Sequence, residues 1–252
     1  MRGIAKAFGA VQALAGVDLE LHRGEVLGLV GDNAAGKSTL MKVLTGVHRP
    51  DGGEILFEGR RVLFHSPRDS RALGIEMIYQ NLALAPNLDV VGNVFLGREV
   101  TKKALPHAVE WLDERRMESE TRALLGRLRI TIDSVRRPVE RLSGGQQQAV
   151  AIARAVAFQA RVVIMDEPTA SLAVKEVGKV LDLVTQLRAK GVSVILISHR
   201  LQDIFTVADR VMVLRGGQRV AARRIAETTL DEVVKHIVGA EASGVSHLAS
   251  GR

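Results

Sequence analysis

Residues 26–39 read VLGLVGDNAAGKST. The opening VLGLV is apolar throughout, which is typical of a strand buried on both faces of a sheet, and the residues after Gly36 follow a helical pattern. Between them, residues 31–38 match G-x4-G-K-[ST], in which successive backbone N–H groups converge on phosphate oxygens. The dipole of the following helix adds to that attraction. A chance glycine-rich turn is the alternative, but the flanking strand and helix favour a phosphate-binding loop in an α/β fold.

The loop residues predict contacts with a nucleoside triphosphate and a magnesium ion. In this arrangement Lys37 reaches the β- and γ-phosphates, Ser38 binds Mg2+, and Thr39 donates to the α-phosphate. The predicted nucleotide-binding residues of the loop are Gly31, Asp32, Asn33, Ala34, Ala35, Gly36, Lys37, Ser38 and Thr39.

A second segment, residues 161–167, reads RVVIMDE and places two carboxylates after an apolar strand. Asp166 is positioned to hold Mg2+ through water, and Glu167 to polarise the water that attacks the γ-phosphate. On its own, this segment is equally typical of a strand followed by a polar loop. Combined with the phosphate loop, it predicts Mg2+-dependent hydrolysis of ATP.

A third segment, residues 142–146, reads LSGGQ and begins an alanine-rich helix. Ser143 can cap that helix, and the glycine N–H groups at its N-terminus can face an anion. With the phosphate loop upstream and the DEP of residues 166–168 downstream, the chain resembles the ATP-binding cassette (ABC) ATPases from residue 6 to about residue 239. The pentapeptide in this context is highly specific, whereas a phosphate loop alone is not.

The resemblance implies one nucleotide-binding domain over residues 1–252, with the α/β fold of the ABC type of P-loop NTPase. Its parts are a RecA-like mixed-sheet core, an N-terminal antiparallel β subdomain, and a helical insertion subdomain at about residues 89–155. Local patterns agree with this organisation. Turn signals bound short strands at residues 54–58 and 62–64, and residues 89–138 are polar, charged and helical in pattern.

The resemblance also assigns roles outside the three segments. Phe8 matches the aromatic residue that stacks on adenine, although a core phenylalanine is an equal prediction from its pattern alone. Gln80, after an apolar strand, matches the glutamine that touches Mg2+ and the attacking water. His199 matches the histidine that contacts the γ-phosphate, whereas a lone histidine is usually structural or on the surface. The implied catalytic residues are Glu167, His199 and Gln80, and the implied metal ligands are Ser38, Gln80 and Asp166.

In this family two cassettes sandwich two ATP molecules, so the LSGGQ segment of each cassette contacts the nucleotide held by the other. A single chain then carries half of each complete site. A second cassette, expected to be identical, is therefore an implied partner. The residues predicted to make these contacts across the dimer are Ser143, Gly144, Gly145 and Gln146.

Three features depart from the family pattern. Ala34 stands where a glycine is usual, and a positive φ there strains the loop by about 1 kcal/mol. Ala173 stands where a polar residue is common, which removes a candidate hydrogen bond across the dimer. The chain begins close to Phe8, which predicts a shortened first strand. At the other end, about residues 240–252 are rich in Ser, Gly and Ala and are expected to form a flexible tail.

Composition limits which other functions the chain could have. The 252 residues include no cysteine, which excludes disulfides and cysteine-based chemistry and fits a reducing cytosol. The most apolar region, residues 149–165, is interrupted by arginine and glutamine, so no membrane span of about 20 apolar residues is predicted. The formal charge is +7, but the basic pairs are dispersed and aromatic residues are few. We expect a solvated basic surface and no direct nucleic-acid partner, with anionic lipid or nucleic acid as the alternative contact.

Within the family, the chain resembles the single-cassette type of simple-sugar (monosaccharide) importer. That resemblance implies a subunit that energises import from the cytoplasmic face of the cell membrane, as a peripheral protein. Its partners are integral membrane permease subunits and, through them, an extracytoplasmic sugar-binding protein. The segments that carry the likeness are residues 52–59, 66–69, 79–99 and 199–205.

Residues 81–99 are predicted to receive a short cytoplasmic helix of the permease. Their apolar side chains outnumber what a solvated loop needs, which favours an exposed partner surface. The alternative is that these side chains pack the helical insertion onto the core. The residues in question are Leu82, Leu84, Leu88, Val90, Val91 and Phe95.

Two other classes are alternatives to sugar import. One is a soluble cassette ATPase that acts on ribosomes or DNA. Translation-type cassettes usually carry two copies per chain, and DNA-repair types separate the phosphate loop from LSGGQ by a long coiled coil. Neither device is present in this sequence. The other class is an exporter or lipid-transporter subunit, or a subunit for another substrate. Residues 80–99 argue against the exporter and the lipid transporter.

Overall fold

The computed structural model describes residues 1–103 and 110–239, and the predicted tail lies outside these residues. In chain order the strands are β1 (Arg2–Phe8), β2 (Val11–Val17), β3 (Val26–Val30), β4 (Gly52–Phe57), β5 (Arg60–Val62), β6 (Ile75–Ile78), β7 (Thr101–Lys103), β8 (Glu110–Leu112), β9 (Val162–Asp166), β10 (Ser193–Ile197), β11 (Arg210–Arg215) and β12 (Gln218–Arg224). The helices are α1 (Lys37–Leu44), α2 (Pro67–Ala72), α3 (Val90–Phe95), α4 (Glu114–Arg127), α5 (Gly144–Val156), α6 (Val174–Ala189), α7 (Leu201–Val207) and α8 (Leu230–Val238).

The larger sheet has six strands in the order β12-β11-β3-β10-β9-β6. All of them run parallel except β12, which is antiparallel to β11. A parallel sheet needs cover on both faces, and the apolar strands β3 and β10 are buried along their whole length. The predicted mixed-sheet core is therefore confirmed. Because these strands are parallel, the loops that follow β3, β6, β9 and β10 leave from one edge of the sheet.

Side chains of this sheet alternate between two apolar cores. In β3, Val26 and Val30 face the first core, while Leu27 and Leu29 face the second. Residues of α3, α5 and α6 close the first core, and residues of α1 and of the N-terminal strands close the second. The sheet is thus held from both sides, with burial of each large aliphatic side chain contributing about 1.5–3 kcal/mol.

The N-terminal strands form an antiparallel sheet in the order β2-β1-β4-β5, as predicted. The first strand, β1, has seven residues and pairs on both sides. The predicted starts of β4 and β5 were each late by two residues. Gly52 belongs to β4 because it pairs with Ala5 of β1, a long-range contact that overrides the local turn signal.

The prediction of a wholly helical insertion over residues 89–138 was wrong in its middle. There, β7 pairs antiparallel with β8, and Trp111 lies on β8 with 60% of its surface exposed. Thr and Trp favour strands, and the described residues of β7 and β8 belong to neither apolar core. On either side, α3 and α4 are helical and bury apolar residues in the first core, where α3 packs against both α5 and α4. Among the described residues, no helix is both long and apolar enough to cross a bilayer.

Candidate functional site

The phosphate loop joins β3 to α1, and its two motif glycines are required by close packing. Gly31 has φ 148°, and a Cβ there would lie 2.1 Å from the carbonyl oxygen of Leu214 in β11. Gly36 has φ 102°, and its Cβ would lie 2.8 Å from the carbonyl oxygen of Ala13 in β2. Only glycine fits both positions. The loop is therefore clamped between the two sheets.

Ala34 lies in the same loop with φ 65°, in the left-handed region that glycine normally occupies. This meets the condition under which the sequence predicted strain. An L-residue with a Cβ costs about 1–2 kcal/mol more than glycine in this region. The next residue, Ala35, is buried and is held by the Gly217 N–H, which donates to its carbonyl at 3.1 Å.

Lys37 begins α1 and turns its ammonium group back into the loop. Its Nζ donates to the carbonyl oxygens of Gly31 at 2.5 Å and Asp32 at 2.9 Å. Burial lowers the pKa of Lys37, and the negative charges of Glu167 and Asp166 partly oppose that shift. The amine thus lies within electrostatic reach of the predicted catalytic carboxylate, Glu167, and of the predicted metal ligand, Asp166.

Asp166 ends β9, at the edge where the phosphate loop leaves β3. Burial raises the pKa of Asp166, the neighbouring Glu167 raises it further, and Lys37 opposes both. Its carboxylate is thus short of positive charge among the described side chains. Ser38 at the start of α1 and Gln80 after β6 add a hydroxyl and an amide oxygen. Such hard oxygen donors, few in number, suit Mg2+, which keeps several waters and binds substrate phosphates.

Glu167 follows Asp166 and is directed towards the neighbouring strand. Its backbone N–H donates to the carbonyl of Ile197 in β10 at 2.9 Å, with a left-handed φ of 51°. The side chain is 13% exposed, and its Oε1 lies 2.8 Å from Nδ1 of His199. The backbone N–H of His199 lies 3.4 Å from Oε2. The histidine side chain is 66% exposed, so its outer edge faces the space above the sheet.

The structure brings together four of the predicted site elements. Glu167 contacts His199 directly, and the charges of Glu167 and Asp166 act on Lys37. Gln80 is exposed two residues after β6 on the same edge. The alternative of a core phenylalanine is ruled out for Phe8, which is 45% exposed. The Phe8 ring meets the His48 ring edge-on at 5.1 Å, and the amine of Lys6 lies 5.6 Å from its centroid.

The LSGGQ segment lies elsewhere, at the start of α5. Ser143 is the N-cap, with its Oγ accepting from the Gln146 N–H at 3.3 Å and its own N–H donating to Oε1 of Gln146 at 3.1 Å. Gly144 and Gly145 pack against Leu172 and Glu176. Within the part of the chain that the structure describes, no hydrogen bond or ion pair joins residues 143–146 to the phosphate loop.

Two residues near these sites gave no usable signal in the sequence. Glu176, on α6, packs on the LSGGQ glycines only because α5 and α6 are adjacent. Gly217 holds the phosphate loop from the turn between β11 and β12, and the sequence marked it only as a turn residue. The departure at Ala173 also has a local effect. Ala173 is the N-cap of α6 and supplies no side-chain cap.

Comparison with known proteins agrees with this geometry. The family model described as ABC transporter matches residues 14–170. The xylose/arabinose import ATP-binding protein XylG of Sulfolobus acidocaldarius is 48% identical over 93% of this chain and 91% of its own length. The fructose import ATP-binding protein FrcA of Rhizobium meliloti is 45% identical over 95% of this chain and 93% of its own length.

Two further matches extend the comparison. The ribose import ATP-binding protein RbsA of Chromobacterium violaceum is 47% identical over 96% of this chain, which corresponds to 47% of that longer protein. A crystal structure of an ATP-binding cassette of an ABC transporter in its ADP conformation superposes with a TM-score of 0.79, at 29% identity over 94% of this chain and 97% of that one.

These matches confirm the resemblance to sugar-import cassettes that the sequence predicted. They extend over nearly the whole chain, and the fold and the motif order agree with them. The chain belongs to the ABC transporter family and is one of its ATP-binding cassette ATPases.

Proposed function

We propose that this chain is the ATP-hydrolysing subunit of a monosaccharide importer, acting as one of two cassettes on separate membrane-spanning permease subunits. The observation that carries the proposal is the Glu167–His199 pair, 2.8 Å apart, at the same sheet edge as the Lys37 loop. The names of the relatives, which import xylose, arabinose, fructose or ribose, support the substrate class. This role places the protein peripherally on the cytoplasmic face of the membrane.

Nucleotide binding falls to residues 31–39 and Phe8. The N–H groups at the start of α1 have no partner within the helix and attract phosphate oxygens. The Lys37 ammonium already points into the loop, where it holds two carbonyl oxygens. Charged phosphate oxygens are stronger acceptors, and the flexible lysine side chain reaches them by rotation. The exposed Phe8 ring offers a stacking face for adenine.

Hydrolysis requires a group that takes a proton from the attacking water, and Glu167 is that group. His199 fixes the direction of the carboxylate through Nδ1, while its outer ring edge stays exposed. Ser38, Gln80 and Asp166 are the ligands proposed for Mg2+. When bound, Mg2+ neutralises charge that develops on the phosphate oxygens. Gln80 follows β6, the strand next to the one that ends in Asp166, and this supports its proposed contact with the attacking water.

A complete site needs a second cassette. The donors of residues 143–146 contact α6 and its preceding loop within their own subunit, away from residues 31–39. Two copies placed head to tail bring each LSGGQ segment to the nucleotide on the other copy. The N-terminus of α5, whose dipole and free N–H groups attract anions, then contacts the γ-phosphate.

The surface proposed for the permease differs from the one the sequence predicted. Val90, Val91 and Phe95 are at most 4% exposed and belong to the first core, so the prediction of an exposed surface was wrong for them. The apolar face of the short helix α3 packs against α5 instead. Leu82, Leu84 and Leu88 are half-buried.

A groove beside these residues is the better candidate. It encloses about 240 Å³ between β6, α3 and α5. Its exposed apolar residues include Tyr79 and Leu96, and Arg154 closes it by donating to the carbonyls of Leu82 and Ala83. Glu76 lies between two more arginines of the groove. Tyr79 of the groove is next to Gln80 in the chain. A permease helix bound in the groove would therefore lie close to a proposed residue of the nucleotide site.

The proposal is tested by sugar uptake in cells that carry the gene with its permease. Leu96→Glu places a charge in the groove, so uptake of ribose, xylose or fructose and co-purification of the permease should fall together. Mg2+-dependent hydrolysis by the isolated protein should persist. Leu63→Glu, at a position 64% exposed and outside the groove, is the matched control. Normal transport by Leu96→Glu, or a parallel loss of hydrolysis, would contradict the groove assignment. Hydrolysis without any sugar uptake would favour the non-transport class.

A further inference from the structure

The N-terminus of α5 is an anion-attracting end. The helix has thirteen residues and no acidic residue in its first turn. Its first N–H groups, on Gly144 and Gly145, point outward from the helix start, where the helix dipole is positive. Ser143 adds a hydroxyl at the same point. The end therefore has donors for one anion and no carboxylate of its own.

A carboxylate from α6 is already placed there. A Cβ on Gly145 would lie 2.9 Å from Cβ and 3.0 Å from Cδ of Glu176. A Cβ on Gly144 would lie 4.0 Å from Oε2 of the same residue. The Glu176 side chain thus lies directly over the two LSGGQ glycines. The close approach requires glycine at position 145.

The polar surroundings of Glu176 are donors and not cations. Hydrogen bonding from the Ser143 hydroxyl, followed by the N–H groups of Gly145 and Ala173, holds the pKa of Glu176 below its usual range. Lys179 adds only a smaller charge effect. Within the described residues, no lysine or arginine forms an ion pair with Glu176. Ser143 and Gly145 thus favour the charged form of the Glu176 carboxylate.

We infer that Glu176 occupies, within its own subunit, the position that the γ-phosphate of the partner-bound nucleotide takes in the dimer. This inference rests on the proposed pairing of two cassettes. Two anions cannot share the donors of Ser143 and Gly145, because like charges at contact distance repel. Glu176 must therefore turn away before the ATP-bound dimer closes. It acts as an internal competitor that sets how much ATP is needed for closure.

Replacement of Glu176 by Gln tests the competition. The substitution keeps the shape and one acceptor oxygen but removes the charge. In a Glu167→Gln background, which retains bound ATP, the ATP concentration for half-maximal dimerisation is measured by sedimentation. While Glu176 lies over the LSGGQ glycines, a monomer cannot pair, so only a fraction of the monomers is competent to dimerise. Glu176→Gln should raise that fraction and lower the half-maximal ATP concentration by roughly 3- to 10-fold. ADP should produce no dimer in either protein.

Asp182→Asn is the matched control. Asp182 lies on the same helix as Glu176, and both residues line a cavity of about 720 Å³. Asp182 does not contact the LSGGQ glycines. The control removes an equal charge and should leave the ATP midpoint unchanged. An unchanged or higher midpoint in Glu176→Gln would overturn the inference. An equal fall in both variants would also overturn it, because general charge repulsion would then explain the effect.

A second measurement separates this inference from the proposed pairing. In the monomer without nucleotide, the amide resonance of Gly145 should move in Glu176→Gln and stay in place in Asp182→Asn. If the Gly145 amide resonance does not shift in Glu176→Gln, the claim that Glu176 lies at the N-terminus of α5 is wrong. If the Glu167→Gln background stays monomeric with ATP, the proposed pairing fails, and competition with a partner's phosphate fails with it. The amide shift would then still decide whether Glu176 occupies the end of α5.

Discussion

Nδ1 of His199 lies 2.8 Å from Oε1 of Glu167, although the two residues follow different strands. Parallel pairing of β9 with β10 sets this distance, since Ile197 lies opposite Asp166. Glu167 turns towards β10 with φ 51°, in a region that costs a non-glycine residue about 1–3 kcal/mol. The hydrogen bond from its N–H to Ile197 holds that turn. Backbone strain thus directs the carboxylate to the histidine.

Glu167→Gln should lower the turnover of ATP by roughly 10²–10⁴-fold, because a general base acts in the transition state. ATP binding should remain nearly intact, since the phosphate loop is unchanged. Steady-state hydrolysis and binding of a fluorescent ATP analogue measure the two effects. Glu140→Gln, an exposed carboxylate outside the site, is the control. Unchanged turnover in Glu167→Gln would remove the assignment of the base.

His199→Ala should lower turnover by about 10²-fold, since misdirection of a catalytic group by about 1 Å has an effect of that size. His199→Asn should retain more activity, because its amide nitrogen can replace Nδ1 as the partner of Glu167. Affinity for ATP should change less than turnover in both variants. Equal turnover in the Ala and Asn variants would show that the Nδ1 contact is not the operative one.

Ala34→Gly should raise the free energy of unfolding by about 0.5–1 kcal/mol, because relief of the left-handed strain exceeds the entropy that glycine adds to the unfolded chain. Chemical denaturation measures the difference. Ala35→Gly is the matched control in the same loop. Ala35 is 3% exposed and is not among the positive-φ residues, so this variant should be less stable than the parent. A loss of stability in Ala34→Gly would contradict the strain.

Ala173→Ser should stabilise the protein by about 0.5–2 kcal/mol by capping α6. Glu176 is at the N3 position, so a serine at the N-cap would complete a capping box with it. Val174→Ser, one residue further on and 83% exposed, cannot cap and should have little effect. Thermal unfolding compares the two. Equal melting temperatures would show that the helix gains nothing from a cap at this position.

Ser143→Arg should abolish ATP-dependent dimerisation in the Glu167→Gln background, because it places bulk at the contact proposed for the partner's γ-phosphate. Sedimentation with excess ATP measures the shift from monomer to dimer. Ser134→Arg, at another exposed serine of the helical region, should still dimerise. A Ser143→Arg protein that pairs normally with ATP would refute the head-to-tail arrangement.

The parts of the site that were predictable are contiguous in sequence. Residues 31–38 form their loop through their own glycines and the adjacent helix, and LSGGQ caps its own helix through Ser143 and Gln146. Such short-range interactions are encoded locally. The position of Glu176 was not predictable, because it depends on how α5 packs on α6. The same holds for Val90 and Val91, whose burial follows from the packing of α3 on α5.

By itself, the sequence determined the family, the mixed sheet, the order of the motifs and the residue types of the nucleotide site, because these follow from local pattern and residue chemistry. Only the tertiary structure decided which donors and acceptors meet. Parallel strand register set Glu167 beside His199, close packing required glycine at position 31, and helix packing set Glu176 over Gly145. These contacts join residues far apart in sequence. Their geometry is fixed by the packing of whole elements, which local patterns do not encode.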